Sequence, residues 1–128
     1  SRLIKKGLLS SAESNRIILE SSTMIDFDSR FNPGIGSSAR RVACLKILEM
    51  YQTFFNTDEE PTILAFIGDA NIQAIRSIET TGFIKIGKIK YETDSIEEDN
   101  VYKLNWNRLR LFLRKNPSER DSFEAPGL

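Results

Sequence analysis

The stretch TILAFIGDANIQAIRSIETTGFIKIG, residues 62–87, decides the fold of this chain. Thr62–Ile67 is a nearly all-apolar run, which predicts a strand that is covered on both faces. Asn71–Thr80 predicts a helix, and Gly82 can supply the left-handed residue that follows a helix end. Phe83–Glu92 predicts the next strand, so the stretch indicates alternating strands and helices.

The same alternation extends in both directions. Thr23–Phe31 alternates apolar and polar residues as a strand does, Gly34-Ile35-Gly36 interrupts it, and a helix is predicted from Ser37 to about Phe55. The apolar face of that helix is expected to consist of Ile35, Ala39, Val42, Ala43, Ile47 and Met50. The remaining predicted elements are strands at Leu3–Leu9, Arg16–Glu20 and Val101–Trp106, a turn at Ser10–Asn15, an acidic loop at Thr93–Asn100, a helix at Asn107–Lys115 and a polar tail from Asn116.

Composition limits the class of protein and the chemistry. The 128 residues include 18 Lys or Arg and 18 Asp or Glu, as expected for one soluble domain over residues 1–115 followed by the tail. No apolar run is long enough for a transmembrane helix, no leader pattern is seen, and the single cysteine, Cys44, forms no intrachain disulfide. We therefore expect a cytoplasmic protein without membrane or nucleic-acid partners, and we expect the Cys44 thiol to be a buried structural group.

The absence of histidine is the most restrictive feature of the composition. It excludes Ser-His and Cys-His nucleophilic pairs, histidine-ligated zinc and any imidazole acid or base. No metal site is expected. Catalysis would have to use carboxylates, hydroxyls, amines, the thiol or backbone amides.

The glycine loop before the first long helix is a candidate anion site. Gly34 and Gly36 allow a ligand to approach the backbone, and the helix start contributes partial positive charge. Arg30, Arg40 and Arg41 are candidate phosphate contacts. Ordinary turn chemistry explains the same glycines, and neither a Walker loop nor a complete dinucleotide fingerprint is present.

The segment Asn71-Ile72-Gln73-Ala74-Ile75-Arg76-Ser77-Ile78-Glu79-Thr80-Thr81-Gly82-Phe83 resembles a signature of the GNAT superfamily of acyl-coenzyme A dependent N-acyltransferases, N-x-x-A-x-x-x-Y-x-x-x-G-F. The family's pyrophosphate loop lies one helix and one strand upstream, where Gly34-Ile35-Gly36 stands. The closing strand, Asp99–Trp106, is also similar. The resemblance covers about residues 23–106 and implies a mixed α/β (α+β) fold, with a mostly antiparallel sheet, flanking helices and a splayed central strand pair.

The resemblance also implies roles for particular residues. Acetyl-CoA or another acyl-CoA would be the donor, and an amine on a small molecule or a protein would be the acceptor. A backbone N–H within Phe27, Asp28 and Ser29 would polarise the thioester carbonyl, and Asp26, Asp28 or Glu20 would act as the base. Gly34, Ile35, Gly36, Ser37 and Ser38 would bind the pyrophosphate, with Arg30 nearby, and Asn71 would lie near the pantetheine arm.

Three departures from the family pattern leave a second function open. Ile78 stands where the family has the tyrosine beside the departing sulfur, although Tyr51, Tyr91 or Tyr102 could supply a hydroxyl. Phe31 stands where the family has the Gln or Arg of the pyrophosphate loop. Only about 20 residues precede Thr23, so the front of the domain is expected to be truncated, or to be completed by a homodimer or a partner chain. The alternative functions are a non-catalytic module that binds coenzyme A or a protein, and a small structural domain without a cofactor.

Overall fold

A computed structural model describes residues 2–20, 36–90 and 98–115 of the chain. These ranges contain five helices and four strands. The helices are α1 (Arg2–Lys5), α2 (Ser11–Ser14), α3 (Gly36–Phe55), α4 (Ile72–Thr81) and α5 (Trp106–Lys115), and the strands are β1 (Ile17–Glu20), β2 (Thr62–Gly68), β3 (Phe83–Lys90) and β4 (Glu98–Leu104).

The four described strands form one sheet in the order β1-β2-β4-β3. β1 is parallel to β2, whereas β4 is antiparallel to both of its neighbours, β2 and β3. β2 and β3 therefore run in the same direction, with α4 connecting them and β4 lying between them. The prediction of a mixed α/β (α+β) fold is confirmed.

The central strand β2 divides the core into two layers, because successive side chains of a strand point to opposite faces. Ile63, Ala65 and Ile67 pack with buried residues of α3, α4 and α5, whereas Leu64 faces a second cluster with residues of the N-terminal segment. This confirms the prediction that the strand over residues 62–67 is covered on both faces.

The N-terminal segment differs from its prediction. Leu3–Leu9 was expected to be a strand, but residues 2–5 form α1. The turn after α1 is closed by Gly7, which has a φ of +73°, and by bonds from Gly7 N–H to the Ile4 carbonyl and from Leu8 N–H to the Leu3 carbonyl. This is a Schellman helix end, in which glycine is favoured because φ is positive.

The burial of Leu3 and Leu9 explains why the strand prediction was wrong. Both side chains are buried against Leu64, Ile89 and Val101 of the sheet. Leu3 in the helical turn and Leu9 after the Gly7 turn both face the sheet, so apolar residues occupy the same sequence positions as they would in a short strand. The next segment, predicted as a turn, is the single-turn helix α2, in which Ser10 and Glu13 form a reciprocal capping box.

The long helix α3 confirms its predicted bounds, but its buried face is rotated from the predicted one. Arg40 and Arg41, predicted away from the core, are buried, whereas Met50 is 68% exposed. The guanidinium groups explain the rotation, because they hydrogen-bond to groups on α4 and so can leave water at modest cost.

The elements after β2 follow the predictions closely. α4 is capped by Asn71 and ends at Gly82, and β3 starts at Phe83 as expected. β4 spans Glu98–Leu104 rather than 101–106, so three residues of the predicted acidic loop belong to the strand. The strand ends earlier because the Asn105 side chain accepts a hydrogen bond from Arg108 N–H and caps α5.

Within the described ranges, no helix combines the length and the apolar character that crossing a bilayer requires.

Candidate functional site

The parallel pair β1–β2 frames the candidate site. Ile17 pairs with Thr62, Leu19 with Ile63 and Glu20 with Leu64, with a register shift between Ile17 and Leu19. β2 continues to Gly68 and is paired with β4 from Leu64 onward on its other edge. Among the described residues, no strand pairs with the β1-facing edge of β2 over residues 65–68.

The N-terminus of α3 is the second part of the site. The helix begins at Gly36, so the predicted anion-binding residues Gly36, Ser37 and Ser38 occupy its first turn. The first four N–H groups of a helix have no intrahelical acceptor, and they carry the positive end of the helix dipole. The first turn contains no acidic residue that would neutralise this charge.

The other residues of the predicted site lie mostly outside the described residues. This holds for the upstream strand and for the start of the glycine loop. The residues concerned are Asp26, Phe27, Asp28, Ser29, Arg30, Gly34 and Ile35. Glu20, the third candidate base, lies at the last position of β1 and pairs with Leu64 of β2.

Asn71, the predicted pantetheine contact, is the N-cap of α4. Its Oδ1 atom accepts a hydrogen bond from Ala74 N–H at 3.2 Å, and its own N–H donates to the Gly68 carbonyl at 3.1 Å. The side chain therefore holds the turn that joins β2 to α4. The oxygen is engaged in this cap, so a ligand would meet the amide nitrogen.

A polar cluster beside this turn joins Asp69 to Asn100 and Lys88. The Asp69 carboxylate accepts hydrogen bonds from Asn100 Nδ2 at 2.8 Å and from Lys88 Nζ at 2.9 Å. These two bonds, that of Asn100 above all, lower the pKa of Asp69, and the ion pair raises the pKa of Lys88. The cluster therefore fixes the β2–α4 turn to β3 and β4.

Sequence reasoning missed this cluster. The sequence places Asn100 in the acidic loop, yet it is 1% exposed in the middle of the sheet, and its Oδ1 atom has no hydrogen-bond partner among the described residues. Its partner Asp69 lies 31 residues away in the chain. Only the strand order, which brings β4 beside β2, reveals the contact, and no local signal predicts it.

Arg40 and Arg41, which the sequence suggested as phosphate contacts, hydrogen-bond to the end of α4. Arg40 donates to the Ser77 carbonyl at 3.1 Å, to Ser77 Oγ at 2.9 Å and to Thr81 Oγ1 at 3.0 Å. Arg41 donates to the Thr80 carbonyl and lies over the Phe112 ring. The carbonyls at the C-terminus of α4 carry partial negative charge, so both cations stabilise that helix end. Their predicted role as phosphate contacts stays a prediction.

Ile78, at the family's tyrosine position, is fully buried. It packs in the same cluster as Cys44, and both side chains are 0% exposed. Burial raises the pKa of the Cys44 thiol to about 12, and this confirms the prediction of a buried structural cysteine.

Two of the three tyrosines that could supply the missing hydroxyl lie in the described residues. Tyr102 belongs to the Ile78 cluster, and burial, followed by the charges of Glu79 and Asp69, raises its pKa. Tyr51 lies in the C-terminal half of α3 beside Phe55. Tyr91 lies outside the described residues.

A separate polar cavity of about 330 Å³ lies at the other end of β2, beside Pro61 and Thr62. Its charged residues are joined in ion pairs, Glu13 with Lys103 and Arg16 with Glu59, and Glu60 pairs with Arg110 nearby. These pairs tie the N-terminal segment and α5 to the sheet. Because the charges already compensate one another, the cavity is weaker than the α3 N-terminus as an anion site.

Comparison of this chain with protein-family models, with curated proteins and with solved structures found no match.

Proposed function

We propose that this chain is a GNAT-like domain that binds an acyl-CoA and transfers the acyl group to an amine. The observation that carries the proposal is the parallel β1–β2 pair, in which the described part of β1 reaches Leu64 and β2 continues for four residues to Gly68. The resemblance calls for a central strand pair that opens on one side, formed by the strand before the glycine loop, Thr23–Phe31, and its neighbour. A helix whose N-terminus faces an anion follows that loop, and Thr23–Phe31 lies outside the described residues.

The edge of β2 over residues 65–68 suits a pantetheine arm. Four residues of extended chain span roughly 13 Å and present backbone N–H and C=O groups along one edge. Pantetheine carries two amide groups, so it can hydrogen-bond to such an edge as an added strand would. The splayed central strand pair is thus part of the proposal.

The N-terminus of α3 suits the pyrophosphate. Its amides carry partial positive charge, and the first turn lacks acidic residues. Because Arg40 and Arg41 are directed to α4, the cation that assists would be Arg30, in place of the family's Gln or Arg. Asn71 would contribute its amide group from the neighbouring turn.

The proposed chemistry is direct attack by the amine nitrogen on the thioester carbonyl carbon. A C–N bond forms, the C–S bond breaks, and the coenzyme A thiolate leaves. Asp26, Asp28 or Glu20 would accept the proton that the amine loses, directly or through water. A backbone N–H within residues 27–29 would stabilise the negative charge that develops on the carbonyl oxygen.

A non-catalytic module that binds coenzyme A is the second candidate, and Ile78 favours it. The side chain at the family's tyrosine position is apolar and 0% exposed, so it cannot protonate a leaving thiolate. A domain that retains the coenzyme A binding site but lacks the proton donor would bind the acyl-CoA without transferring its acyl group.

Titration calorimetry with coenzyme A and acetyl-CoA, combined with thermal unfolding, tests the shared part of both functions. We expect binding heat and a raised Tm for the natural chain. Gly36→Glu places a carboxylate where the pyrophosphate would bind, and we expect at least a tenfold loss of affinity. Ala12→Glu, which adds the same charge to the exposed helix α2, is the matched control and should bind normally. Absence of both binding heat and a Tm shift with the natural chain would refute both functions.

Release of the coenzyme A thiol from acetyl-CoA, measured over a panel of amines, separates the enzyme from the non-catalytic module. Cys44 is the only cysteine of the chain and is buried, so a thiol reagent reports coenzyme A alone while the protein is folded. Turnover that falls by about 10² to 10⁴ in one of Glu20→Gln, Asp26→Asn and Asp28→Asn would identify the base. Binding without turnover on any amine would favour the second function.

A further inference from the structure

The polar cavity beside Pro61 and Thr62 has the size of a small-molecule site. Its volume is about 330 Å³, at the lower end of the roughly 300 to 1,000 Å³ that such sites occupy. Most of the described residues that line it are charged or polar, so it suits a small polar molecule. It lies at the start of β2, whereas the turn that Asn71 caps follows the end of that strand.

Two of the three ion pairs around the cavity are closed. The Glu13 carboxylate uses both of its oxygens, since Oε1 accepts a hydrogen bond from Ser10 N–H at 3.1 Å and Oε2 accepts one from Lys103 Nζ. The Glu60 carboxylate accepts a hydrogen bond from the Arg110 guanidinium. A ligand would have to break these bonds to use either pair, so we do not expect it to bind there.

The third pair, Arg16 with Glu59, is open. Arg16 Nη1 and Glu59 Oε2 are 4.0 Å apart, which is too far for a hydrogen bond. Arg16 Nε donates to the Glu60 carbonyl at 3.2 Å, and Thr62 N–H donates to the Arg16 carbonyl at 2.8 Å. The main chain and Nε of Arg16 are therefore fixed, while Nη1 and Nη2 make no hydrogen bond to any described residue.

The main chain of Glu59 is fixed, but its carboxylate is not. Its N–H donates to Thr57 Oγ1 at 3.1 Å, and its carbonyl accepts from Gln52 Nε2 at 3.3 Å. The side chain is 62% exposed, and its contact with Arg16 is its only ion pair among the described residues. The carboxylate can therefore turn toward a ligand without breaking a hydrogen bond.

We propose that the cavity binds a free α-amino acid, whose carboxylate pairs with Arg16 and whose ammonium pairs with Glu59. The Nη1–Nη2 edge of a guanidinium offers two parallel N–H groups, which a carboxylate accepts in a bidentate pair. In an α-amino acid one carbon joins the charged groups, so the ammonium nitrogen lies about 2.5 Å from the carboxylate carbon. Such a ligand needs a cation and an anion side by side, as Arg16 and Glu59 are.

The charge balance of the cavity favours a ligand with both charges over a simple anion. A simple anion bound to Arg16 would leave the Glu59 carboxylate without its cation and close to a second negative charge. An α-amino acid replaces both partners, so every charge stays paired. The start of α5, which lines the cavity with Asn105, Trp106 and Asn107, has no acidic residue in its first turn that would repel the ligand carboxylate.

The single tryptophan of the chain can report binding, because Trp106 lines the cavity and its indole N–H donates to the Pro61 carbonyl at 3.0 Å. The isotope-labelled indole gives one NMR signal, to be followed while each of the twenty L-amino acids is added to the natural chain. We expect at least one of them to shift the signal with a dissociation constant on the order of 1 mM, since partly exposed ion pairs hold it. Acetate and methylammonium, which each carry one of the two charges, should bind at least threefold more weakly than that amino acid.

Two substitutions test the two charged contacts. Arg16→Gln should weaken binding of the amino acid by about tenfold or more, and Glu59→Gln by about threefold, since Glu59 is the more exposed of the two. The matched controls, Arg76→Gln and Glu49→Gln, remove the same charges at exposed positions of α4 and α3 and should bind as the natural chain does. Glu59→Gln should keep its Tm, because the side chain is 62% exposed, and it tests the site even where Arg16→Gln lowers stability.

Three results would overturn the proposal. The first is an indole signal that none of the twenty amino acids shifts at about ten times the expected dissociation constant. The second is equal affinity for acetate, which would make the cavity a simple anion site. The third is equal binding by the two variants and their controls. None of these results would bear on coenzyme A binding, which calorimetry measures separately.

Discussion

At the scale of single residues, the two buried arginines of α3 contribute more to the fold than to a binding site. Arg40 is 1% exposed and donates hydrogen bonds to Ser77 and Thr81 of α4. A hydrogen bond from a charged donor contributes about 1.5 to 3 kcal/mol, and removal of Arg40 would take one such bond from the Ser77 carbonyl and from each of the two hydroxyls. Arg40 therefore connects the two helices that flank the candidate site.

Arg40→Met should lower the free energy of unfolding by about 3 kcal/mol, because the apolar replacement makes none of the three hydrogen bonds that the guanidinium donates to Ser77 and Thr81. Arg76→Met, on the exposed side of α4, is the matched control and should cost less than about 0.5 kcal/mol. Urea unfolding followed by circular dichroism measures both values. Equal stability of the two variants would show that the Arg40 contacts contribute little.

Asn71 has two proposed roles, as the N-cap of α4 and as a contact to coenzyme A, and two substitutions separate them. Asn71→Ala removes the acceptor of the Ala74 N–H and should cost about 1 kcal/mol of stability. Asn71→Asp keeps an acceptor at the cap and should preserve stability. If Asn71 also donates its amide to coenzyme A as proposed, Asn71→Asp should weaken coenzyme A binding several-fold while Tm stays constant. An unchanged affinity for coenzyme A would mean that Asn71 acts only as the N-cap of α4.

At the scale of elements, two glycines end helices in different surroundings. Gly82 follows α4 with a φ of +127°, and a Cβ there would lie 3.1 Å from the backbone nitrogen of Leu109. Gly7 follows α1 with a φ of +73°, and a Cβ there would have nothing within 4 Å. Gly82 therefore permits a close approach of α5 as well as a positive φ, whereas Gly7 permits only the positive φ.

We expect Gly82→Ala to cost about 3 kcal/mol, because backbone strain adds to a clash with the backbone of α5. Gly7→Ala should cost only about 1 kcal/mol, since it adds strain alone. Equilibrium unfolding of both variants gives the difference. If the two costs are equal, the close packing of α5 against Gly82 contributes nothing measurable.

At the scale of the whole molecule, the sequence predicts the elements whose signals are local and fails where the partner is distant. The strand over residues 62–67 and the helix ended by Gly82 follow from a few adjacent residues. The burial of Arg40 depends on Ser77 and Thr81, and the Asp69–Asn100 contact depends on the strand order. Neither dependence is visible in a period of two or 3.6 residues, so sequence reasoning assigned these polar groups to the surface.

The pH dependence of stability belongs to the whole molecule, since it sums groups from all parts of the fold. The hydrogen bond from Lys103 is the main cause that lowers the pKa of Glu13, and the bond from Asn100 is the main cause for Asp69. A depressed pKa in the folded state stabilises the protein above the unfolded-state pKa, and this stabilisation is lost as pH falls. Acid therefore weakens the ties of the N-terminal segment and of the β2–α4 turn.

Cys44 makes the stability depend on pH in the opposite direction, since its contribution is lost as the pH rises. Burial raises its pKa to about 12, so the thiol of the folded chain stays neutral while the thiol of the unfolded chain ionises above its ordinary value, 9.0. At pH 11 this difference should remove about 2 to 3 kcal/mol of stability. Unfolding by urea at pH 8 and at pH 11 measures the loss. Between the two pH values, the stability of Cys44→Ala should fall by about 2 to 3 kcal/mol less than that of the natural chain. The variant is less stable at pH 8 because the substitution leaves a cavity. Lysines and tyrosines contribute equally to both proteins and cancel in the comparison. Equal losses of stability in the two proteins would therefore mean that the thiol ionises as readily in the folded state as in the unfolded state. Because the Cys44 side chain is enclosed between α3, α4 and the sheet, this would require local opening of the core.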